Sequence, residues 1–242
     1  MQGYQQQPYQ QPQMSQGPQL HQGVVQFMNG VYAWMAAGIF VTAAVAWGIA
    51  QSPAALQTFF DFQDGGMTGL GWVALLAPLG ILLIFGSRLM SMSHGAAVGV
   101  FMLLAVSYGI TFSLVPLFFS IGSIAQAFIA TVGMFAGMAA FGYFTKKDLS
   151  GIGQFLLMAL FGIIIAIVVN MLFVQSAAMH MGIDILIVLV FAGLTAYDTQ
   201  KIKQIYLVHG AVGNLAVVGA LNLYIDFVAM FRALLHLMNS GD

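Results

Sequence analysis

Long apolar segments, separated by short polar ones, fill most of this chain. A membrane-spanning helix needs about 20 mostly apolar residues, so charge-free segments of that length can be counted along the sequence. They predict spans at residues 27–50, 65–87, 89–145 (two spans, with the break near 116–122), 149–183, 178–197 and 215–237. The pattern therefore predicts an all-α membrane protein with seven transmembrane helices.

The composition strengthens this interpretation. Hydrophobic residues make up 60% of the 242 residues and charged residues only 5%, where soluble domains carry about 25%. The net charge of −1 gives no indication of a nucleic-acid partner. The absence of cysteine excludes disulfides, thiolate metal sites and cysteine nucleophiles.

The basic residues predict the orientation in the membrane. If the helices simply alternate, five of the six basic residues share one side, and that side is expected to be cytoplasmic. The N-terminus is then cytoplasmic and the C-terminus outside. The five are Arg88, Lys146, Lys147, Lys201 and Lys203, and Arg232 is the exception.

The first 23 residues differ from the rest. They are rich in Gln and Pro and contain no Lys or Arg, so they lack the basic start and apolar core of a secretory signal. We expect residues 1–23 to form a disordered cytoplasmic tail and residues 24–242 to form the transmembrane domain.

Ionisable groups inside the spans are the candidates for function, because lipid disfavours them. Asp226 lies near the centre of span seven, with Asn222 one turn before it. Alternatively, Asp226 is a neutral acid that is hydrogen-bonded to a neighbouring helix. Asp198 lies at the end of span six, three residues before Lys201, where an interfacial carboxylate is also common.

Asp184 lies at the opposite end of span six and, with His180 one turn away, is expected to form a local pair. Asp184 and Asn222 are further candidates for an ion pathway. The histidines do not fall in a zinc-binding spacing, so we expect no role for His21, His94, His209 or His236. We predict no catalytic residue and no cofactor.

Four segments resemble the Bax-inhibitor family, also called TMBIM. FAGLTAYDTQKIK (191–203) is similar to the family's span-six motif and LNLYIDFVAMF (221–231) to its last-helix motif. FGYFTKKDLS (141–150) is similar to its mid-chain loop, and FMNGVYAWMAAGIFVTA (27–43) has the character of its first span. The resemblance covers about residues 25–238 and fits a bacterial member, in the cytoplasmic (inner) membrane.

The resemblance implies a fold whose last helix is central and surrounded by the other six. It also implies a pH-sensitive calcium leak controlled by two facing aspartates, which here are Asp198 and Asp226. These two are then the expected calcium ligands. Arg88, matched by position only, would latch Asp198. Bacterial members are also associated with restraint of a membrane-bound ATP-dependent protease.

The physical chemistry of such a pair supports a sensor. Two carboxylates in a poorly hydrated site repel each other when both are ionised, which favours a shared proton, and calcium would compete with that proton. The predicted spans raise one difficulty, because they place the two aspartates at different depths in the membrane. Asp226 would lie about 16 Å along span seven, whereas Asp198 would lie only about 5 Å from Lys201.

Two other classes of function are alternatives for this sequence. An intramembrane aspartyl protease would use Tyr197-Asp198, but residues 223–226 lack the glycines of its second motif. The second alternative is a non-conducting regulator that binds and restrains a membrane-bound protease, with the Gln-rich tail as a docking segment.

Overall fold

The computed structural model describes residues 16–62 and 66–240, with the backbone alone at 16–20. This part of the chain is almost wholly helical. A 3-10 segment, Gly86–Ser91, follows α3, and a π-helical turn, Asn170–Val174, follows α7. Two short strands, β1 (Phe60–Asp61) and β2 (Gly66–Met67), pair antiparallel. The helices are α1 (Gln16–Ala50), α2 (Pro53–Phe59), α3 (Gly69–Phe85), α4 (His94–Phe112), α5 (Val115–Phe118), α6 (Ile121–Phe144), α7 (Ser150–Val169), α8 (Ala177–His209) and α9 (Leu215–Asn239).

Seven helical segments of the described chain are long and apolar enough to cross a membrane, which confirms the predicted fold class. The break predicted near 116–122 is also confirmed, between α5 and α6. The seven segments are His21–Ala50, Gly69–Ser91, His94–Phe118, Ile121–Phe144, Ser150–Val174, Ala177–His209 and Leu215–Asn239.

Three predicted boundaries differ from the structure. Span five, predicted over residues 149–183, ends at Val174, and the next spanning helix begins at Ala177. The first helix begins at Gln16, so the predicted boundary after residue 23 lies inside α1, while residues 1–15 of the predicted tail lie outside the described residues. Span six does not end at Tyr197 but continues to His209. The helix continues past Tyr197 because residues 198–209 contain neither Gly nor Pro, and Gly210, with a positive φ of 72°, ends it.

The last helix is the most buried of the seven spanning segments. It packs mainly against α1, α4, α6 and α8, whereas α3 packs mainly on α4 and α7 on α8. The expectation that all six other helices surround α9 is therefore not confirmed. Large apolar side chains on the outer faces are exposed, as suits contact with lipid; Phe40, Phe161 and Phe173 are examples.

Side-chain amides tie several connections together at one end of the bundle. The Asn214 amide donates to the carbonyls of Leu89 (3.0 Å) and Met92 (2.7 Å), which holds the start of α9 against the turn after α3. Gln200 of α8 accepts from the Leu149 N–H (2.9 Å) and donates to the Lys147 carbonyl (2.7 Å).

These contacts gather the basic residues at what we call the basic end, defined by Arg88, Lys146, Lys147, Lys201 and Lys203. The loop there also contains Asp148. Hydrogen bonds from the Ser150 hydroxyl and backbone N–H hold the pKa of the Asp148 carboxyl below its ordinary value, because the ionised form is the better acceptor.

Candidate functional site

The candidate site lies between α8 and α9, two helices joined by a short connection at the basic end. Asp198 comes eleven residues before His209, the last residue of α8, and Asp226 eleven residues after Leu215, the first of α9. Both aspartates therefore lie about 16 Å from the connection. The mismatch in depth between Asp198 and Asp226 that the predicted spans implied is absent, because α8 is longer than its sequence pattern indicated.

Asp226 is buried at this depth. Its side chain is 3% exposed, and no N–H or hydroxyl of the described residues donates to its enclosed Oδ2 atom. The half-buried Asp198 is close enough to act on it electrostatically, and the side chain of Thr195 lies beside it. An unpartnered buried carboxyl oxygen is costly, so this atom is the clearest sign of a site that does more than hold the fold together.

Hydroxyl groups extend the polar cluster toward α1 and α6. The buried Thr199 hydroxyl faces the Tyr32 phenol without a hydrogen bond of normal geometry. Tyr32, Asn29 and Tyr143 also line a cavity of about 440 Å³ between α1 and α6, whose remaining lining is apolar. Thr199, the residue after Asp198 in α8, thus faces a side chain that lines this cavity, whereas neither aspartate lines it.

The two lysines of α8 do not neutralise Asp198 by ion pairing. The Lys203 ammonium donates to the Tyr143 carbonyl (2.5 Å) and lies 4.6 Å from the centre of the Tyr143 ring. The Lys201 ammonium lies 5.5 Å from the centre of the Tyr197 ring. Lys203 is therefore bound by a group other than the aspartates, while Lys201 acts on Asp198 through its charge, without an ion pair among the residues described.

Two other predicted site residues are not joined to the pair. Arg88 is exposed on the 3-10 segment after α3 and makes no ion pair with Asp198 in the described part of the chain, so the latch stays a prediction. Asn222 is half-buried on α9, one turn from Asp226 toward the basic end. Its place in an ion pathway also stays a prediction.

The predicted local pair of His180 and Asp184 is confirmed, with His180 Nδ1 3.1 Å from Asp184 Oδ2. His236 reaches the same oxygen at 2.6 Å. No role was predicted for His236, because it lies on a different helix from the pair and in no recognisable metal-binding spacing.

Seven long apolar helices define a multi-pass membrane protein, and its last two helices carry two carboxyl groups at about the same distance from their connection. The family described as "Inhibitor of apoptosis-promoting Bax1" matches residues 24–242. The chain belongs to this family, as its motifs indicated.

Relatives are similar over nearly the whole chain. Inner membrane protein YbhL of Escherichia coli K12 is 37% identical over 223 residues, which cover 90% of this chain and 93% of YbhL. An uncharacterized protein of Caulobacter vibrioides is 38% identical, covering 88% of both chains. An uncharacterized protein of Deinococcus radiodurans is 39% identical, covering 89% of this chain and 91% of its own. The likeness to YbhL supports a bacterial inner membrane as the location.

Proposed function

We propose that this protein is a pH-sensitive leak for calcium or similar cations, gated by the Asp198 and Asp226 carboxyl groups. The observation that carries the proposal is the enclosed Oδ2 atom of Asp226, which has no N–H or hydroxyl donor in the described part of the chain, at the depth of a second carboxyl group. A neutral structural acid would be expected to have its oxygens satisfied. This one is available to a proton or a cation.

The chemistry of the two carboxyl groups suits reversible competition between a proton and a cation. Calcium takes six to eight oxygen ligands when tightly bound. Asp198, Asp226 and the neighbouring Thr195 supply fewer than that, so the site favours brief binding during passage over storage. Protonation removes the negative charge that attracts the cation and changes the repulsion between α8 and α9, which is a direct way to bias a gate.

The orientation and the chemical class are part of the proposal. The basic end faces the cytoplasm under the positive-inside rule, which places the N-terminus inside. The protein acts without a catalytic step, because the pair lacks the glycine motif that an intramembrane aspartyl protease would add.

Flux through purified protein tests the proposal. The full chain is reconstituted in liposomes that enclose a calcium indicator, and influx is followed between about pH 5 and 8, the range expected for a shared carboxyl proton. Asp226→Asn keeps the shape but cannot release a proton, so its flux should lose most of its pH dependence. Asp148→Asn, which removes an exposed acid at the basic end, is the matched control and should titrate like the parent.

Two results would overturn the proposal. Unchanged titration of Asp226→Asn would exclude Asp226 as the sensor. An absence of flux through folded, correctly inserted parent protein would exclude the leak altogether and favour the non-conducting regulator of a membrane-bound protease.

A further inference from the structure

A second polar cluster lies at the end of α8 and α9 farthest from their connection. We call it the His-Asp-His cluster and define it as His180, Asp184 and His236. The two imidazole Nδ1 atoms lie 3.1 and 2.6 Å from the same oxygen, Asp184 Oδ2. One potential ligand atom from each of the three residues lies within 4.8 Å of the others.

The fold holds this cluster in place from both helices. The Ser176 hydroxyl accepts from the Met179 N–H (3.3 Å) and caps the start of α8, while Asn170 binds the Ser176 backbone at 3.0 and 3.3 Å. His180 therefore lies in a fixed first turn of α8, with Asp184 one turn later on the same face. His236 is three residues before the end of α9.

Exposure differs sharply within the cluster. The Asp184 side chain is 1% exposed, whereas those of His180 and His236 are 49% and 42% exposed. The two imidazole rings lie 4.5 Å apart, centre to centre, with an angle of 31° between them. A buried carboxylate thus lies beneath two rings that an ion can reach from outside the bundle.

We propose that the His-Asp-His cluster binds a divalent transition-metal ion of the Zn²⁺ type. Imidazole nitrogen with one carboxylate is a ligand set that such ions favour, whereas hard cations such as calcium prefer oxygen alone. Three protein ligands leave one position of a tetrahedral ion open. His180 also lines a cavity of about 470 Å³, which provides room for a water or small ligand at that position.

The two nitrogen–oxygen distances need only small adjustments. Tetrahedral zinc with bonds of about 2.1 Å separates its ligand atoms by about 3.4 Å. The Nδ1–Oδ2 distances of 3.1 and 2.6 Å therefore have to lengthen by less than about 1 Å, within reach of the two partly exposed histidines. The bound ion would then join the outer ends of α8 and α9.

Arg232 opposes this binding. It is an exposed cation that lines the same cavity as His180, so its charge weakens the attraction of the single carboxylate for a dication. The site is therefore predicted to bind more tightly when Arg232 is replaced by a neutral residue.

Metal binding by the purified full chain, prepared without a polyhistidine tag, tests the proposal. After chelator treatment, Zn²⁺ is titrated in detergent by calorimetry, and bound zinc is counted by elemental analysis. We expect one ion per chain. His236→Gln and Asp184→Asn should each weaken binding by about ten-fold or more, since even outer-shell partners of metal sites contribute about 10–100-fold.

Controls separate this site from other histidines and from calcium. His209→Gln, at the exposed end of α8, should bind Zn²⁺ like the parent, and Arg232→Gln should bind more tightly. Calcium in excess should not displace the zinc. Failure of calcium flux leaves these expectations intact, because the measurement is binding and uses no transport.

Two results would overturn the metal site. One is the absence of stoichiometric zinc binding by the folded parent; the other is equal binding by the parent, His236→Gln and His180→Gln. Either would mean that the two histidines serve only as hydrogen-bond donors to the buried Asp184 carboxylate.

Discussion

A methyl group added at Gly142 tests the closest approach between α6 and α8. A Cβ atom there would lie 2.1 Å from the backbone carbonyl oxygen of Ala196, where ordinary contacts are 3.4–4 Å. The Gly142→Ala substitution therefore requires the two backbones to separate locally by about 1.3 Å. Because the obstacle is backbone, no side-chain rotation relieves the clash.

The size of the effect follows from two opposing contributions. Overpacking of this kind costs about 1–3 kcal/mol, while replacing Gly by Ala in a helix gains up to about 1 kcal/mol of intrinsic propensity. Gly137→Ala, in the same helix with nothing within 4 Å of the added Cβ, measures the second contribution alone. We expect Gly142→Ala to be less stable than Gly137→Ala by about 1–3 kcal/mol.

Unfolding in mixed micelles of increasing SDS content, followed by the fluorescence of the three tryptophans, provides the measurement. Flux measured on the same proteins adds a functional readout. Ala196 lies two residues before Asp198, so a displaced α8 should shift the pH midpoint of flux in Gly142→Ala only. Equal stability of the two variants would refute the close approach of α6 and α8.

Three further predictions concern separate contacts. Asp198→Asn and Asp226→Asn should shift the pH midpoint of flux non-additively, with no titration in the double variant, because in a proton-sharing pair the charge of one acid acts on the other; additive shifts would show that the two acids act separately. Tyr224→Phe removes the 2.6 Å hydrogen bond to the Thr42 hydroxyl and should lower the free energy of unfolding by about 1 kcal/mol without moving that midpoint. Arg88→Gln should raise flux at neutral pH if Arg88 latches Asp198 as predicted, although no ion pair between them occurs among the described residues; unchanged flux would exclude the latch.

The seven spans and the two central acids were predictable for one physical reason. Lipid excludes charge so strongly that charge-free lengths and isolated charges both stand out in the sequence. The predicted end of α8 was wrong for a related reason: charged residues, Lys201 and Lys203 among them, follow the apolar stretch, although the helix itself continues to His209. In the structure the long Lys203 side chain extends from within the helix to the Tyr143 carbonyl, as lysine commonly does near an interface.

The rest of both polar clusters depends on tertiary contacts. Thr199 and Tyr32 carry ordinary hydroxyl groups in apolar spans, and no local spacing relates α8 to α1. His180 and His236 are 56 residues apart, so their shared contact with Asp184 follows only from the antiparallel packing of α8 and α9. A local spacing rule for zinc sites cannot detect such a pair.

The same helix pair carries polar groups at two depths with an apolar stretch between them. Asp184 and Asp198 are separated by fourteen residues of α8, about 21 Å, and the residues between them include buried Ile187, Phe191 and Leu194. A hydrated cation cannot cross such a stretch without losing its water. The proposed leak therefore requires α9 to move relative to its neighbours. The protonation state of the aspartates would act by changing how α8 and α9 pack against each other. A metal ion that joins the far ends of these two helices would restrict the same movement.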